Sequence, residues 1–485
     1  MNTIRPRRAF VVLSAFVLLA GLVATGATQA SASSHLGPFG FITKGLGRIS
    51  APSYGEPSLT IARDGKHEAI CSLGSGSNGK GTVQIWYSKN DGKSWTHTYN
   101  TSPAGGGDCN IKFLPNGTLL TADLEVTDSY IQKSTDWGAH WKALGPAGTE
   151  QDRQWFASSP SGKTVYLQYH DFVFEGEFYT PSTDGGNTWS TSPADQHLED
   201  SPDQVTAPAI IGNGGHASIV DQGVNTFSGP LLVDRNGRDL YAVYSISDAE
   251  SNVNPLIGVP PYGPVRQLVV AHSPDGGVTW SSHVADQAVP NPDGSQESTE
   301  GTLFPWGFLD STGTVYIVFD STRGASGDHF HQYYVYSKDK GQTWSQPVRV
   351  DGLQLSQGAA VYATGDAVRP GVIDIAWYQS NNGTPSQDKS IWTPYFAQVT
   401  KANTTHPKIR RQAVTSIPNH HGGICLFGLL CGVAPGSSDR SLLDFFQLWV
   451  NPRTKMAEIA YADNYRLADN HNFGEVVFAK QTKTP

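Results

Sequence analysis

Apolar and polar positions along this chain alternate over short stretches, and each stretch closes on a Gly, Pro or Asp turn. "EPSLTIARDGKHEAICSL" from Glu56 sets the pattern: an apolar run, an Asp-Gly turn, then a second apolar run. The same layout returns from Asp108, Arg153, Gly229, Thr302, Ala359 and Leu442. Strands of four to eight residues joined by such turns are hairpin signals. Long stretches with 3.6-residue spacing are absent, so the pattern predicts seven hairpins in an all-β chain.

In five units a third apolar run, such as "VQIWYS" or "YYVYS", leads into a polar turn that ends in tryptophan. The turns are "SKNDGKSW" from Ser88, "STDWGAHW" from Ser134, "STDGGNTW" from Ser182, "SPDGGVTW" from Ser273 and "SKDKGQTW" from Ser337. They share Ser-x-Asp-x-Gly-x-x-Trp, with Asn90, Asp136, Asp184, Asp275 and Asp339 at the acid position. The acid is expected to accept backbone N–H bonds, the Gly to take a conformation closed to other residues, and the Trp to fold back on its strands. A short fourth strand follows each turn. Four-stranded meanders repeated in series make a β-propeller, with seven blades preferred over six. Residues 33–485 then form one domain, at about 65 residues per blade. The sixth unit, near "SIWTPYFAQVT", lacks the turn motif, and the seventh ends in "GEVVFAKQT" with no fourth strand after it. The segment from Gly40, "GFITKGLGRIS", is expected to supply that strand and close the ring, leaving no open sheet edge.

Composition supports many short strands: 52 Gly, 30 Pro, 11% aromatic and only 16% charged residues, against about 25% charged in ordinary soluble domains. The net charge of −9 argues against nucleic acid as a partner. At the N-terminus, "MNTIRPRR" precedes the apolar "AFVVLSAFVLLAGLVATGA" and the small residues of "TQASA". Residues 1–32 read as a secretory signal peptide cleaved near Ala30 or Ala32, with an exported, monomeric product that has no membrane span of its own. The four cysteines fit an oxidising compartment. Proximity suggests Cys71 with Cys109 and Cys425 with Cys431, although four cysteines allow three pairings.

Ser-x-Asp-x-Gly-x-x-Trp resembles the Asp-box, or bacterial neuraminidase repeat, and the chain resembles secreted sialidase-like propellers over essentially all of its mature length. The resemblance implies a glycoside hydrolase acting on terminal acidic sugars, with a glycan as partner and no cofactor, a structural calcium apart. A polysaccharide lyase acting on uronates and a non-catalytic glycan- or protein-binding propeller are the alternatives.

Propeller geometry puts the Asp-box turns and first hairpin turns on one face. The opposite face carries the loops before each first strand and after each second strand, and its central mouth is the expected site. That selects Glu56, Asp108, Asp152, Arg153, His170, Asp171, Glu300, Asp320, Arg323, Arg440, Asp444 and Asp463. Arg153, Arg323 and Arg440 could together clamp a carboxylate through bidentate bonds, as the arginine triad of sialidases does, or each could pair with a nearby acid. Glu56, Asp152 and Glu300 are the candidate catalytic carboxylates, and Tyr169 or Tyr461 the phenol that sialidases use as nucleophile. His170 and Arg153 would suit a lyase, and Trp155 or Trp306 a glycan-stacking role. "GRISAPS" has Arg48-Ile49 but Ser50 where sialidases carry Pro, so roles are not carried over by chain order. The loop histidines of "DHFHQ" (His329, His331) and "NHHGG" (after Asn419) have metal-compatible spacing, yet read as ordinary loop residues, and no metal site is assigned.

Overall fold

A computed structural model describes residues 33–34, 37–46, 55–75, 81–100, 107–125, 128–148, 151–171, 176–189, 224–249, 262–290, 297–325, 328–352, 358–428, 431, 439–465 and 474–484. The leader expected at residues 1–32 and the Arg48-Ile49-Ser50 segment lie outside them. Described residues from 33 onward form strands, turns and seven separate antiparallel sheets.

In chain order, β1 (Ser33–Ser34) and β2 (Phe41–Gly45) come first. Blade one holds β3 (Ser58–Ile61), β4 (Glu68–Ser75), β5 (Gly81–Ser88) and β6 (Thr96–Asn100). Blade two holds β7 (Cys109–Phe113), β8 (Leu119–Leu124), β9 (Ser129–Ser134) and β10 (Lys142–Ala147). Blade three shows β11 (Gln151–Ser158), β12 (Val165–Asp171) and β13 (Gly176–Ser182) among the described residues. Blade four has β14 (Val224–Val233), β15 (Leu240–Ala249), β16 (Tyr262–Ser273) and β17 (Ser281–Gln287). Blade five has β18 (Trp306–Leu309), β19 (Val315–Ser321), β20 (His331–Ser337) and β21 (Val348–Arg349). Blade six has β22 (Ala360–Arg369), β23 (Val372–Ser380), β24 (Ile391–Thr400) and β25 (Lys408–Ala413), with β26 (His420–His421) also on β24. Blade seven is built from β27 (Gln447–Val450), β28 (Ala457–Asp463) and β29 (Glu475–Gln481). Its outer strand is β2, which pairs antiparallel with β29 from Phe41↔Gln481 to Gly45↔Val477, and β1 adds outside it. The molecule is a seven-bladed β-propeller whose last blade joins the two ends of the chain.

The five tryptophan-ended turns share one geometry. In each, the Ser Oγ accepts from the Gly N–H at 2.8–3.0 Å. The Asp or Asn Oδ1 accepts a backbone N–H at the position before the Trp, at 2.9–3.0 Å. Thr279 N–H and hydroxyl bonds hold the exposed Asp275 carboxyl at about 2. The Gly sits against the preceding blade: at Gly186, φ +80, a Cβ would lie 2.6 Å from Leu120, and at Gly277, φ +98, 2.3 Å from the Tyr179 hydroxyl. Only a residue without Cβ satisfies both backbone and neighbour there. Four of the Trp indoles, at Trp95, Trp189, Trp280 and Trp344, donate back to that Gly carbonyl at 2.9–3.1 Å.

Around the axis the inner strands are tied by side chains rather than by a shared ladder. Thr364 and Asp366 of blade six accept the Leu448 and Val450 N–H groups of blade seven. Gln447 of blade seven takes Leu59 N–H, Ser58 and Thr60 take Ile111 and Phe113, and Asn110 takes Phe156. Each bond satisfies a buried donor that faces the channel and has no strand beyond it. The channel itself is plugged by aromatic rings. Trp155 packs edge-on to Trp306 (centroids 5.4 Å), Phe445 (5.1 Å) and Phe304 (6.1 Å). Burying a ring of this size is worth about 4–6 kcal/mol in area terms before entropy is counted.

Both expected disulfides are present, Cys71–Cys109 and Cys425–Cys431. The first ties blade one to blade two, and the second closes a local loop.

Candidate functional site

The strand entrances of several blades meet above the aromatic plug. Glu56 lies just before β3, Asp108 just before β7, Asp152 and Arg153 at the start of β11, and Arg440 and Asp444 before β27. Three residues here, Glu56, Tyr362 and Leu443, hold left-handed φ values of +52°, +61° and +54°. That conformation costs about 1–2 kcal/mol for a residue with a Cβ, and such strain gathers where a site requires an unusual chain direction.

Arg153 is fully buried at the centre. Its guanidinium carbon stands 4.3 Å from the Trp155 ring centre and 4.1 Å from that of Phe445, and its Nη2 donates to the Cys109 carbonyl at 2.9 Å. Its Nε and Nη1 are buried without a hydrogen-bond partner among the described residues. Burial lowers its affinity for the proton, while Asp108, Glu56, Asp152 and Asp444 oppose that effect. Arg440 grips Asp444 with two bonds, Nη2–Oδ2 at 2.8 Å and Nη1–Oδ1 at 3.3 Å. Glu56 Oε1 accepts the Asp444 N–H at 3.1 Å.

Four carboxylates thus crowd two guanidinium groups, with consequences for their protonation. Burial, then repulsion from Asp108 and Asp444, pushes Glu56 well above the usual carboxylate range, against the pull of Arg153. Burial within the ring, then the same two aspartates, raises Asp152 to about 7, with His170 and Arg153 opposing. Asp444 is raised by burial and held back by Arg440. Perturbed carboxyls gathered in one cluster are a common mark of acid–base chemistry.

The other selected residues fall elsewhere. His170 is buried on β12, with Nδ1 3.0 Å from the Thr226 hydroxyl and 3.5 Å from Glu177. Tyr169, next to it, is buried and stacks on Phe178, and Tyr461 is buried in the apolar core between blades six and seven. Trp155 is buried from solvent, being covered by Arg153 on one face and ringed edge-on by aromatics. Arg323 does not join the other two arginines: its Nη2 binds Asp286 Oδ2 at 2.7 Å and the Gln287 carbonyl at 2.8 Å, and lies 3.5 Å from Glu300. Glu300, fully buried, also accepts the Ser298 hydroxyl. These residues form a second cluster at the seam of blades four and five. Asp320 accepts from Thr302 and from Tyr362 N–H, and Asp463 from Tyr465 N–H. The side chain of Asp171 lies outside the described residues.

His331 pairs with Asp351 at 3.0 Å, whereas His329 contacts the Gly358 carbonyl, so the two do not share a centre. Among the described residues, the side chains spaced to share a metal ion are Glu68, Asp91 and Glu458 at the blade-seven/blade-one seam. There the Lys480 amine already contacts Asp91 and lies 3.1 Å from Glu458, supplying the positive charge itself.

Sequence reasoning did not single out Tyr362, whose hydroxyl donates to the Cys425 carbonyl of the disulfide loop at 3.3 Å. "AAVYATG" reads as plain strand, and its left-handed turn leaves no signal. Asp286 was likewise hidden within an ordinary strand end.

No family model matches the sequence, and no curated protein matches it either. Among solved structures the chain is similar to a Hadza microbial sialidase at 14% identity and TM-score 0.36, covering 58% of this chain and 57% of that one. It is similar to a polysaccharide lyase, an ulvan lyase, at 10% identity and TM-score 0.43, covering 78% and 96%. A mutant of the NanB sialidase of Streptococcus pneumoniae follows at 11% identity and TM-score 0.42, covering 92% and 71%. The propeller is defined by its own strand pairing, independently of these likenesses.

Proposed function

We propose that this is an exported carbohydrate-active enzyme that hydrolyses a glycosidic bond at the acidic mouth. The observation that carries the proposal is the meeting of Glu56, Asp108, Asp152 and Asp444, from four different blades, around the buried Arg153. The resemblance of the repeat to the Asp-box directs the choice of substrate class to glycans.

Asp152 is the general acid: raised to about 7 and partly exposed, it still carries a proton in mildly acidic to neutral solution. Its proton passes to the leaving oxygen as the C–O bond breaks. Asp108, partly exposed beside it, takes the proton of the attacking water, whose oxygen bonds to the anomeric carbon. Glu56, its carboxyl raised well above the usual range by burial and by its neighbour Asp108, favours the protonated form and so adds little negative charge beside Asp108. Arg153 and Arg440 keep the cluster from collapsing into an all-protonated state.

The balance of charge favours a neutral sugar. Arg440 is committed to Asp444, Arg153 is surrounded by acids, and Arg323 belongs to the other cluster, so a carboxylated sugar would meet more negative than positive charge. Hydrolysis of a terminal acidic sugar is the competing reading, and the two separate cleanly. Purified protein is assayed on neutral aryl glycosides and on an α-ketosidic sialic acid reporter, beside Asp152→Asn and Arg323→Ala. Release from a neutral glycoside that disappears in Asp152→Asn supports the proposal. Release from the sialoside that disappears in Arg323→Ala would replace it with the acidic-sugar reading, and no release from any substrate points to a binding propeller.

A further inference from the structure

Below Trp155, on the side of the first hairpin turns, the axial channel is not filled. A cavity of about 230 Å³ is lined there by Lys112, Asp366, Gln447, Trp449, Trp155 and Trp306, among others. It shares Val233 and Leu309 with a second space of about 330 Å³ nearer the surface, bordered by Arg235, Arg369, Lys455, Asp234 and Asp310. Trp155 therefore has a guanidinium on one side and this cavity on the other.

The polar groups of the inner cavity are unequally engaged. Asp366 is occupied, accepting Ala367 N–H at 2.7 Å and Val450 N–H at 2.9 Å. Gln447 Oε1 accepts from Ser58 and Leu59. The Lys112 amine stands 5.5 Å from the Trp449 ring centre and makes no hydrogen bond or ion pair among the described residues. The Trp449 indole N–H is buried without an acceptor. An amine held over an indole with three donors unused has room for a further acceptor, since the carboxylate of the same cavity, Asp366, lies beyond hydrogen-bond reach and is taken up by backbone N–H groups. Burial further destabilises the charged form of Lys112, which Asp366 only partly offsets. At the entrance, Asp310 accepts from Thr312 and Gly371 and so stays ionised, and Arg235, Arg369 and Lys455 set against Asp234 and Asp310 leave one positive charge in excess.

We propose that this hairpin-side cavity is a second ligand site, distinct from the acidic mouth, that takes a small ring-bearing carboxylate with its anionic group on Lys112 and its ring among the tryptophans. A concavity walled largely by aromatic and aliphatic side chains, with a few convergent polar groups, is the general form of a small-molecule site. The opposite mouth cannot substitute, because its own carboxylates repel such a ligand.

Calorimetric titration of the purified protein tests this with two probes that carry the same anion on different rings, D-glucuronate and benzoate, and with glucose as the uncharged control. Binding of at least one carboxylate at about millimolar Kd or tighter, with no glucose binding, is expected. Lys112→Met should weaken it at least about tenfold, Lys112→Arg should largely restore it, and Asp152→Asn at the mouth should leave it unchanged. The preferred probe then tells a sugar acid from an aromatic acid. Absence of carboxylate binding to the wild type at about 10 mM overturns the proposal. So does binding that survives in Lys112→Met, or that Asp152→Asn alters instead. If Lys112→Met fails to fold, the Trp449 ¹⁵N–¹H indole resonance of the wild type decides. A shift on titration with the carboxylate, absent with glucose, supports the site, and an unmoved resonance refutes it.

Discussion

Two clusters in this propeller have nearly the same ingredients and different prospects. At the mouth, Glu56, Asp108, Asp152 and Asp444 surround Arg153 and Arg440. At the seam of blades four and five, Asp286 and Glu300 hold Arg323. Each has a fully buried glutamate and an aspartate raised to about 7, by burial first and a neighbouring carboxyl second. The seam cluster is smaller and draws on two neighbouring blades: Arg323 is bound to Asp286 and to the Gln287 carbonyl, and Glu300 to the Ser298 hydroxyl, while Arg323 Nε and Glu300 Oε2 are buried without a hydrogen-bond partner among the described residues. The mouth draws on four blades and gathers four carboxylates and two guanidinium groups in the same two-to-one ratio, and it leaves two donors of Arg153 unpartnered. A perturbed carboxyl is the stronger mark of a site where groups from several blades converge on it.

Several changes would break that contrast if it is misjudged. Asp152→Asn should lower kcat/KM by about two to four orders of magnitude, while Asp286→Asn stays within about twofold, measured on the same glycoside. Arg153→Met, which strands buried carboxylates, should cost about 3–5 kcal/mol in denaturant unfolding. Arg323→Met, whose guanidinium is partly solvated, should cost less than half of that. Replacing Cys71 and Cys109 together by Ser should cost about 2–4 kcal/mol. Because the Cys109 carbonyl anchors Arg153, that change should also reduce activity without disturbing the seam cluster.

The pH dependence should treat the two clusters alike. Asp152 and Asp286 are raised to about 7, and Asp123 and Asp374, both by burial first, to about 8. Folded values above the unfolded ones mean that this stabilisation is complete below about pH 4 and is lost as pH rises through 7 to 8. The melting temperature should therefore fall between pH 5.5 and pH 8.5, and Asp152→Asn and Asp286→Asn should each flatten the decline. The smallest effect belongs to the turns: Asp184→Ala removes exposed hydrogen bonds, should cost about 1 kcal/mol, and should leave both clusters unaffected.

Legibility in the sequence followed the range of the interactions. The tryptophan-ended turns are local, made by Ser, Asp and Gly within eight residues, and their repetition exposed the fold, while the seven hairpins exposed the blade count. Blade junctions were legible too, so Glu56, Asp108, Asp152, Arg153, Arg440 and Asp444 could be chosen from position alone. What position did not reveal is which junction side chains turn to the axis and which to a neighbour. Arg153 opens the first strand of its unit and Arg323 follows the second strand of its own, both at mouth junctions, yet one finds Glu56 and Asp444 across the ring and the other finds Asp286 beside it. Lys112, in "CNIKF", carries no site signal within its own strand. Only the closed ring brings it to the channel, beside Trp449 of another blade.

The side-chain bonds that link inner strands across blade seams have a consequence for how such a molecule can change. Ser58, Asn110, Thr364 and Gln447 each satisfy a backbone N–H that belongs to the next blade. A blade is therefore not an interchangeable cassette. Grafting one from another propeller, or duplicating one in place, would preserve its internal ladder while leaving the adjoining blade with buried donors and nothing to receive them. Repeats joined in this way are free to vary in their outer strands and loops, but at the axis they can change only in step with their neighbours.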